Sequence, residues 1–276
     1  MMTLALSHSR VLSLHRPLIM GIINCTPDSF AVRTLSAAEA VAASRQTIAD
    51  GADILDIGGE SSRPGSEPVT PEVELDRVIP VIERIRSFSD IPISIDTSKA
   101  IVAEKALTAG ADIINDISAL SFDPNMAGVA AEADCPVVLM HMKGTPVTMQ
   151  EDPHYDDVVS EVSQFFIERM ELAQSCGIKS ENIILDVGIG FGKRTEDNVA
   201  LLKHLRRFTA FGRPLLVGVS RKRFIGDLTG RPVEKRLEGS LAAAAVAVQN
   251  GADIIRTHDV AETRQAVLIA AVLRED

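Results

Sequence analysis

Polar residues stand at the ends of short apolar runs throughout this 276-residue chain, and their types suggest a shared chemistry. Successive runs end in Asn24, Asp96, Asn115-Asp116, His141 and Asp186, and two more lead into Ser220-Arg221-Lys222 and Arg256-Thr257-His258. Another is followed by Glu60, Ser61, Ser62 and Arg63. Any one of these residues reads equally well as a helix N-cap or a strand-end hydrogen bond. Taken together they sort by chemistry. Asp96, Asn115 and Asp186 offer carboxylate and amide groups suited to the edge of a flat ring carrying several N–H donors and acceptors. Ser62, Arg63, Arg256 and His258 offer donors suited to phosphate oxygens, which arginine grips in a bidentate way. Lys222 can bridge the two sets. The combination describes a heteroaromatic pocket beside an anion pocket, and hence group transfer from an activated ring compound.

The elements that must carry these residues alternate regularly. Near-continuous apolar runs predict buried parallel strands at Leu18–Asn24, 53–57, 91–96, 112–116, 137–141, 183–187, 215–219 and 253–258. Helical patterns lie between them. Thr70-Pro71 supplies an N-cap followed by proline at the first helical position, and Leu75, Val78, Ile79, Ile82 and Ile85 then share one face. Val158, Val162, Phe165, Phe166 and Ile167 share a face in a later helix, while Ser36 with Glu39 and Asp259 with Glu262 have capping-box spacing. Gly-Ala-Asp recurs at residues 51–53, 110–112 and 251–253, each time between a helical pattern and an apolar run, where glycine suits a helix C-cap. Eight strand–helix units in a chain of this length predict a single (β/α)8 TIM-barrel domain covering residues 1–276. In such a barrel all eight polar strand ends converge on one rim. An open doubly wound sheet is the alternative, but its dinucleotide fingerprint is missing.

Composition narrows the function. The chain has 28 Lys and Arg against 38 Asp and Glu, a formal charge of −10 with no basic run, which argues against a nucleic-acid partner. Its three cysteines lack the spacing of a disulfide scaffold or zinc site, and no segment matches an export signal or membrane span. A cytoplasmic location without membrane attachment is expected. The sequence Gly188-Ile-Gly-Phe-Gly-Lys193 has neither dinucleotide nor P-loop spacing and reads as a glycine-rich βα loop. No GxSxG elbow surrounds Ser220, and there is no HExxH. His8, His15, His154 and His204 read as surface or packing residues, whereas His141 reads either as strand-end packing or as a site wall.

These segments resemble the dihydropteroate synthase family of the folate pathway, from Met20 to about Ala270. The resemblance rests on eight stretches in order: Met20–Phe30, Asp56–Gly65, Ser94–Lys99, Ile114–Ile117, Leu139–Met142, Leu185-Asp186 with Gly190–Lys193, Ser220–Lys222 and Arg256–Asp259. It implies condensation of 6-hydroxymethyl-7,8-dihydropterin diphosphate with p-aminobenzoate, giving dihydropteroate and pyrophosphate. By the same resemblance, Asp96, Asn115, Asp186 and Lys222 would hold the pterin, with Met140 and Phe191 lining its pocket. Ser62, Arg63, Arg256 and His258 would hold the diphosphate, and Asn24 would ligate Mg²⁺. Catalytic roles fall to Asp96, Lys222, Arg256 and His258. A homodimer through the last two helices is implied, and Leu241-Ala-Ala-Ala-Ala-Val-Ala-Val248 is small enough for close packing there or against the barrel.

The chain departs from the family after Phe30. Ala31-Val32-Arg33-Thr34 replaces an acidic, glycine-containing loop, and no acid lies between Asp28 and Glu39. Val187 replaces a usual proline, and Ser62 a commoner threonine. The altered loop leaves a catalytically impaired pterin-binding homologue as one alternative. A pterin-dependent methyltransferase-like barrel is another, although it would have less use for Arg63 and the Arg256–His258 cluster.

Overall fold

The stretch before Pro17, where the sequence predicted no element, forms a small antiparallel hairpin of β1 (Thr3–Ala5) and β2 (Val11–Ser13). The eight apolar runs then form β3 (Leu18–Asn24), β4 (Ile54–Gly58), β5 (Ile93–Asp96), β6 (Ile113–Asp116), β7 (Val137–Met140), β8 (Ile183–Asp186), β9 (Leu215–Gly218) and β10 (Ile254–Thr257). These strands pair in parallel in chain order, and β10 closes the barrel on β3. The helices of the outer ring are α1 (Ala37–Ala49), α2 (Pro71–Arg86), α3 (Ala100–Ala109), α4 (Met126–Ala133), α5 (Val158–Ser175), α6 (Thr195–Lys203), α7 (Arg223–Thr229), α8 (Leu237–Gln249) and α9 (Val260–Leu273). This is a computed structural model, and it describes residues 2–6, 10–26, 37–63 and 65–274. The divergent stretch after Phe30 and the Ser36 capping box lie outside those residues. The (β/α)8 prediction holds, with each strand within two residues of its expected bounds.

Two apolar cores follow from the strand pleat. One lies between barrel and helices, where Ile57, Val78, Ile82, Ile95, Phe166 and Phe208 pack. The other fills the lower barrel interior with Leu18, Met20, Ile54, Ile113, Val138, Ile184, Leu216 and Ile254, closed by Leu4, Leu6 and Leu14 of the hairpin segment. An apolar hairpin thus plugs the barrel end opposite the polar strand ends.

The Gly-Ala-Asp repeat proves to be a two-part joint. Its glycines have φ of +96°, +116° and +105°, the left-handed geometry expected of a C-cap. Each aspartate then accepts the N–H of a residue in the neighbouring strand at 2.9 Å: Asp53 from Ile19, Asp112 from Ile93 and Asp253 from Leu215. Arg16 pairs with Asp53, and both Arg10 and Arg86 with Asp112.

Some local expectations need correction. Thr70 does cap α2, with Pro71 following. The buried face of α2 also includes Val81 and Glu74, whose carboxylate is buried against Lys99. In α5, Ile167 is exposed while Val159 is buried, because five expected positions span more than one helical face. Asp259 precedes α9 but forms no capping box; its carboxylate receives the guanidinium of Arg221 instead.

Candidate active site

The upper barrel interior changes from apolar to charged. Asp56, fully buried in the middle of β4, receives Arg256 Nε at 2.6 Å and Asn115 Nδ2 at 3.2 Å. Arg256 also donates Nη2 to Asp96 at 2.6 Å. One guanidinium from β10 therefore links carboxylates on β4 and β5, and the amide of Asn115 on β6 completes the chain. Burial opposes the Arg256 charge, but Asp56 and Asp96 more than offset it and hold the group protonated above its ordinary range. Burial also pushes the Asp96 carboxyl up to about 7, although Arg256 pulls it the other way.

Asp186 ends β8 and accepts the N–H of Gly188 at 2.8 Å. Its burial raises its pKa, against the pull of that bond and of Lys222 and Arg256. Met140 ends the adjacent β7, in register with Asp186, and is buried. The chain then turns through Gly188, Gly190 and Gly192, all at positive φ. This turn presents Phe191, whose ring centre lies 4.2 Å from Lys222 Nζ. Burial and Arg256 together push the Lys222 ammonium down to about 8.

Lys222 is aimed by an unusual residue. Arg221 has φ of +55°, a left-handed conformation that costs a non-glycine residue about 1–2 kcal/mol. Three contacts hold it there: Ser240 Oγ accepts its N–H at 2.8 Å, Arg236 donates to its carbonyl at 3.2 Å, and Asp259 binds its guanidinium. The turn sends Lys222 toward Phe191 and Ser220 toward His258. Ser220 Oγ lies 3.0 Å from His258 Nδ1 and accepts the His258 backbone N–H at 3.3 Å. This pairing fixes the orientation of the His258 ring at the end of β10.

Ser62 lies in the loop after β4, beside a cavity of about 320 Å³ that also touches Asp96, Lys99, Ile117, Thr145 and Pro146. Arg63 follows it and is exposed. The loop is tied down at both ends: Glu60 Oε1 accepts the Val69 N–H at 2.9 Å and Glu60 Oε2 binds Lys99, whose ammonium also meets Glu74 at 2.6 Å. A more open depression between α6 and α7, beside Val199, Lys203 and Leu228, contains none of the strand-end polar residues. Asn24 closes β3, opposite Gly58 in register. Among the described residues no three His, Cys, Asp or Glu side chains gather as a metal site.

The expected residues therefore occupy one end of the barrel. Asp96, Asn115, Asp186, Lys222 and Arg256 form its inner floor, Met140 and Phe191 its wall, and Ser62, Arg63 and His258 lie on the rim loops. Arg256, expected among the phosphate donors, has two of its nitrogens bound to the inner carboxylates. Asp56 and Lys193 were not expected. For Asp56 the signal was present, since a lone carboxylate inside Ile54-Leu-Asp-Ile-Gly58 has to find a buried partner. His15, His154 and His204 are surface residues as predicted; His141 is buried behind the site wall against Phe165 and Lys193.

A family model described as pterin binding enzyme matches residues 20–258. This chain belongs to the pterin-binding enzyme family. The dihydropteroate synthase of Escherichia coli K12 is 48% identical over 260 residues, covering 94% of this chain and 92% of that protein. A Xanthomonas albilineans dihydropteroate synthase solved with 4-aminobenzoic acid superposes with a TM-score of 0.92 at 47% identity, covering 99% and 98% of the two chains. The same organism's enzyme in complex with 7,8-dihydropteroate gives 0.87 at 44% identity, with 99% of both chains covered. In a pterin-binding enzyme the acceptor-rich floor has an evident use. Asp96, Asn115 and Asp186 can pair with the N–H and carbonyl edge of the ring, and Phe191 and Met140 supply flat apolar contact.

Proposed function

We propose that this chain is a dihydropteroate synthase, joining 6-hydroxymethyl-7,8-dihydropterin diphosphate to p-aminobenzoate. The C–O bond between the pterin methylene carbon and the diphosphate breaks, and its electron pair leaves with the diphosphate. The amino nitrogen of p-aminobenzoate forms the new C–N bond and then loses a proton. The observation that carries this reading is the arrangement on one rim: ring acceptors at Asp96, Asn115 and Asp186, with Arg256 bound to Asp96, beside the cations Lys222 and Arg63 and the imidazole of His258. Charge accumulates on the departing diphosphate, and donors fixed before the reaction stabilise it without reorganising. The carboxylates of Asp96 and Asp186 favour positive charge developing on the pterin side. Arg256 stands between the two regions and can act on both.

Asn24 would offer an amide oxygen to a Mg²⁺ accompanying the diphosphate. Asn24 shares the interior face of β3 with Leu18 and Met20 by strand alternation, and Mg²⁺ ordinarily takes only one or two protein oxygens besides phosphate oxygens and waters. When bound, the ion would help neutralise the leaving group. A homodimer through α8 and α9 is supported by apolar side chains left open there: Ile269, Val272 and Leu273 are 64%, 84% and 68% exposed, and Val246 joins them from α8. Ala244, Ala247 and Val248 face the barrel instead. A cytoplasmic location agrees with three unpaired cysteines, two of them buried.

The test is to supply both substrates and follow pyrophosphate. Release that requires p-aminobenzoate supports the synthase. No release, or release indifferent to p-aminobenzoate, overturns it.

A further inference from the structure

Lys193 has no part in the reaction as described, yet it is a buried lysine one loop away from the ligand-facing groups, its pKa pushed down to about 7 by burial. Its Nζ donates to Gly188 O and Phe191 O, each at 3.0 Å, and to His141 O at 3.1 Å, and lies 2.8 Å from His141 Nδ1. Three carbonyl oxygens and one ring nitrogen thus surround the Lys193 amine. Two of these carbonyls belong to the loop after β8, and the other two acceptors belong to the residue just beyond β7. We propose that Lys193 is the positioning residue of the pterin pocket, its ammonium pinning loop 188–193 to the end of β7 so that Asp186, Phe191 and Lys222 face the ligand together. This rests on the synthase reading above.

The loop backbone explains why a cation is needed. A Cβ on Gly188 would come within 1.9 Å of His141 O, and one on Gly192 within 2.2 Å of Lys143 O. The two backbones therefore touch directly, and the carbonyls of Gly188, Phe191 and His141 converge on one buried point. Carbonyls gathered away from water need donors, and the ammonium supplies all three. The effect then passes to the site by two routes. Gly188 donates its N–H to Asp186, so its placement orients that carboxylate. Gly190 packs beside the Lys222 stem, where an added Cβ would lie 3.2 Å from Cδ, and Phe191 stacks under its ammonium. Tyr155 provides a lesser tether on the same loop, donating its hydroxyl to Gly192 O at 2.7 Å.

The experiment compares wild type, Lys193→Met and Tyr155→Phe by steady-state kinetics with each substrate varied. Circular dichroism checks folding, and titration with fluorescent 6-hydroxymethylpterin measures binding. Lys193→Met should raise the KM for the pterin diphosphate and the Kd for the pterin at least about tenfold, with the KM for p-aminobenzoate within about twofold. Tyr155→Phe should shift the same constants in the same direction by a smaller factor. A lower kcat with both KM values and the pterin Kd unchanged would mean only a smaller folded fraction and would overturn the proposal. Should Lys193→Met not fold, Tyr155→Phe decides, and an unchanged pterin Kd there overturns it. If the wild-type chain makes no dihydropteroate, the synthase reading fails separately. The pterin titration still decides this proposal, and equal Kd values in wild type and Lys193→Met overturn it.

Discussion

Asp56→Asn perturbs the site at its most deeply buried charge while keeping the side-chain shape. The carboxylate has no exposure and receives Arg256 Nε at 2.6 Å, and the Arg256 side chain is 20% exposed. Charges about 4 Å apart at an effective dielectric near 20 attract by about 4 kcal/mol. Breaking a buried pair by removing one partner typically costs about 3–5 kcal/mol. Asp96 still holds Arg256 in the variant, and the arginine is partly solvated, so the lower end applies: about 3 kcal/mol, or a fall in Tm of roughly 6–12 °C for a domain of this size. Arg256→Met leaves Asp56 and Asp96 as close like charges and should cost a similar amount. The double variant removes one charge of each sign and should lose about 2–3 kcal/mol less than the two single losses combined. Urea unfolding followed by circular dichroism supplies all four corners of the cycle. Losses that add to within about 0.5 kcal/mol would refute a direct Asp56–Arg256 coupling, since independent sites behave in that way.

Four further outcomes follow from the same geometry. Asp186→Asn keeps an oxygen for the Gly188 N–H but replaces an acceptor with a donor at the ring edge, so pterin affinity should fall about 10–100-fold. Burial already disfavours the Asp186 charge, so Tm should hold or rise, and a variant that binds pterin normally would reduce Asp186 to a loop tie. The kcat/KM for the pterin diphosphate should rise with pH as Asp96 ionises near 7 and fall as Lys222 deprotonates near 8. A flat profile from about pH 6 to 9 would contradict both assignments. Through linkage, the raised Asp96 pKa contributes stability below its unfolded value of 3.8 that is lost as pH rises through about 7. Replacing Ile269 and Val272 by glutamate should convert a dimer to monomers in sedimentation velocity, and a wild-type monomer would refute the α8–α9 interface.

The barrel was legible because its signals are local. Eight apolar runs and the glycine of each Gly-Ala-Asp repeat mark the strands and helix ends without reference to anything distant. The ligand-facing set was legible for a related reason: strand-end polar residues are next to apolar runs in sequence, and closing the barrel is enough to gather them. The Asp56–Arg256 pair was not legible, because its members lie 200 positions apart and meet only across the closed interior. Lys193 was hidden differently. In Gly190-Phe-Gly-Lys193 a lysine after glycines reads as solvent-exposed, and only the fold of the loop reveals that three carbonyls and a ring nitrogen enclose it. The hairpin escaped because three-residue strands are too short to show alternation.

The division of the barrel interior explains how the fold carries so many buried charges. Asp56, Asp96, Asp186, Lys193, Lys222 and Arg256 all lie toward the strand C-termini, and each carries a desolvation cost or depends on a partner for its charge state. Arg221 adds backbone strain at the same end. The lower interior is apolar instead, where eight strand side chains and three hairpin leucines exclude water, and the buried aspartate at that end, Asp112, is matched by Arg10 and Arg86 outside the apolar cluster. Strand register is fixed because slipping one residue would turn each interior face, with Asp56, Asp96, Asn115 and Asp186 on it, into the apolar layer under the helices. The register in turn fixes which residues meet above: Asn115 beside Asp96, and Asp186 beside Met140. The plug therefore does more than stabilise. It holds the strand ends in the alignment that lets one arginine reach two carboxylates, and the floor of the site keeps its geometry before any ligand arrives.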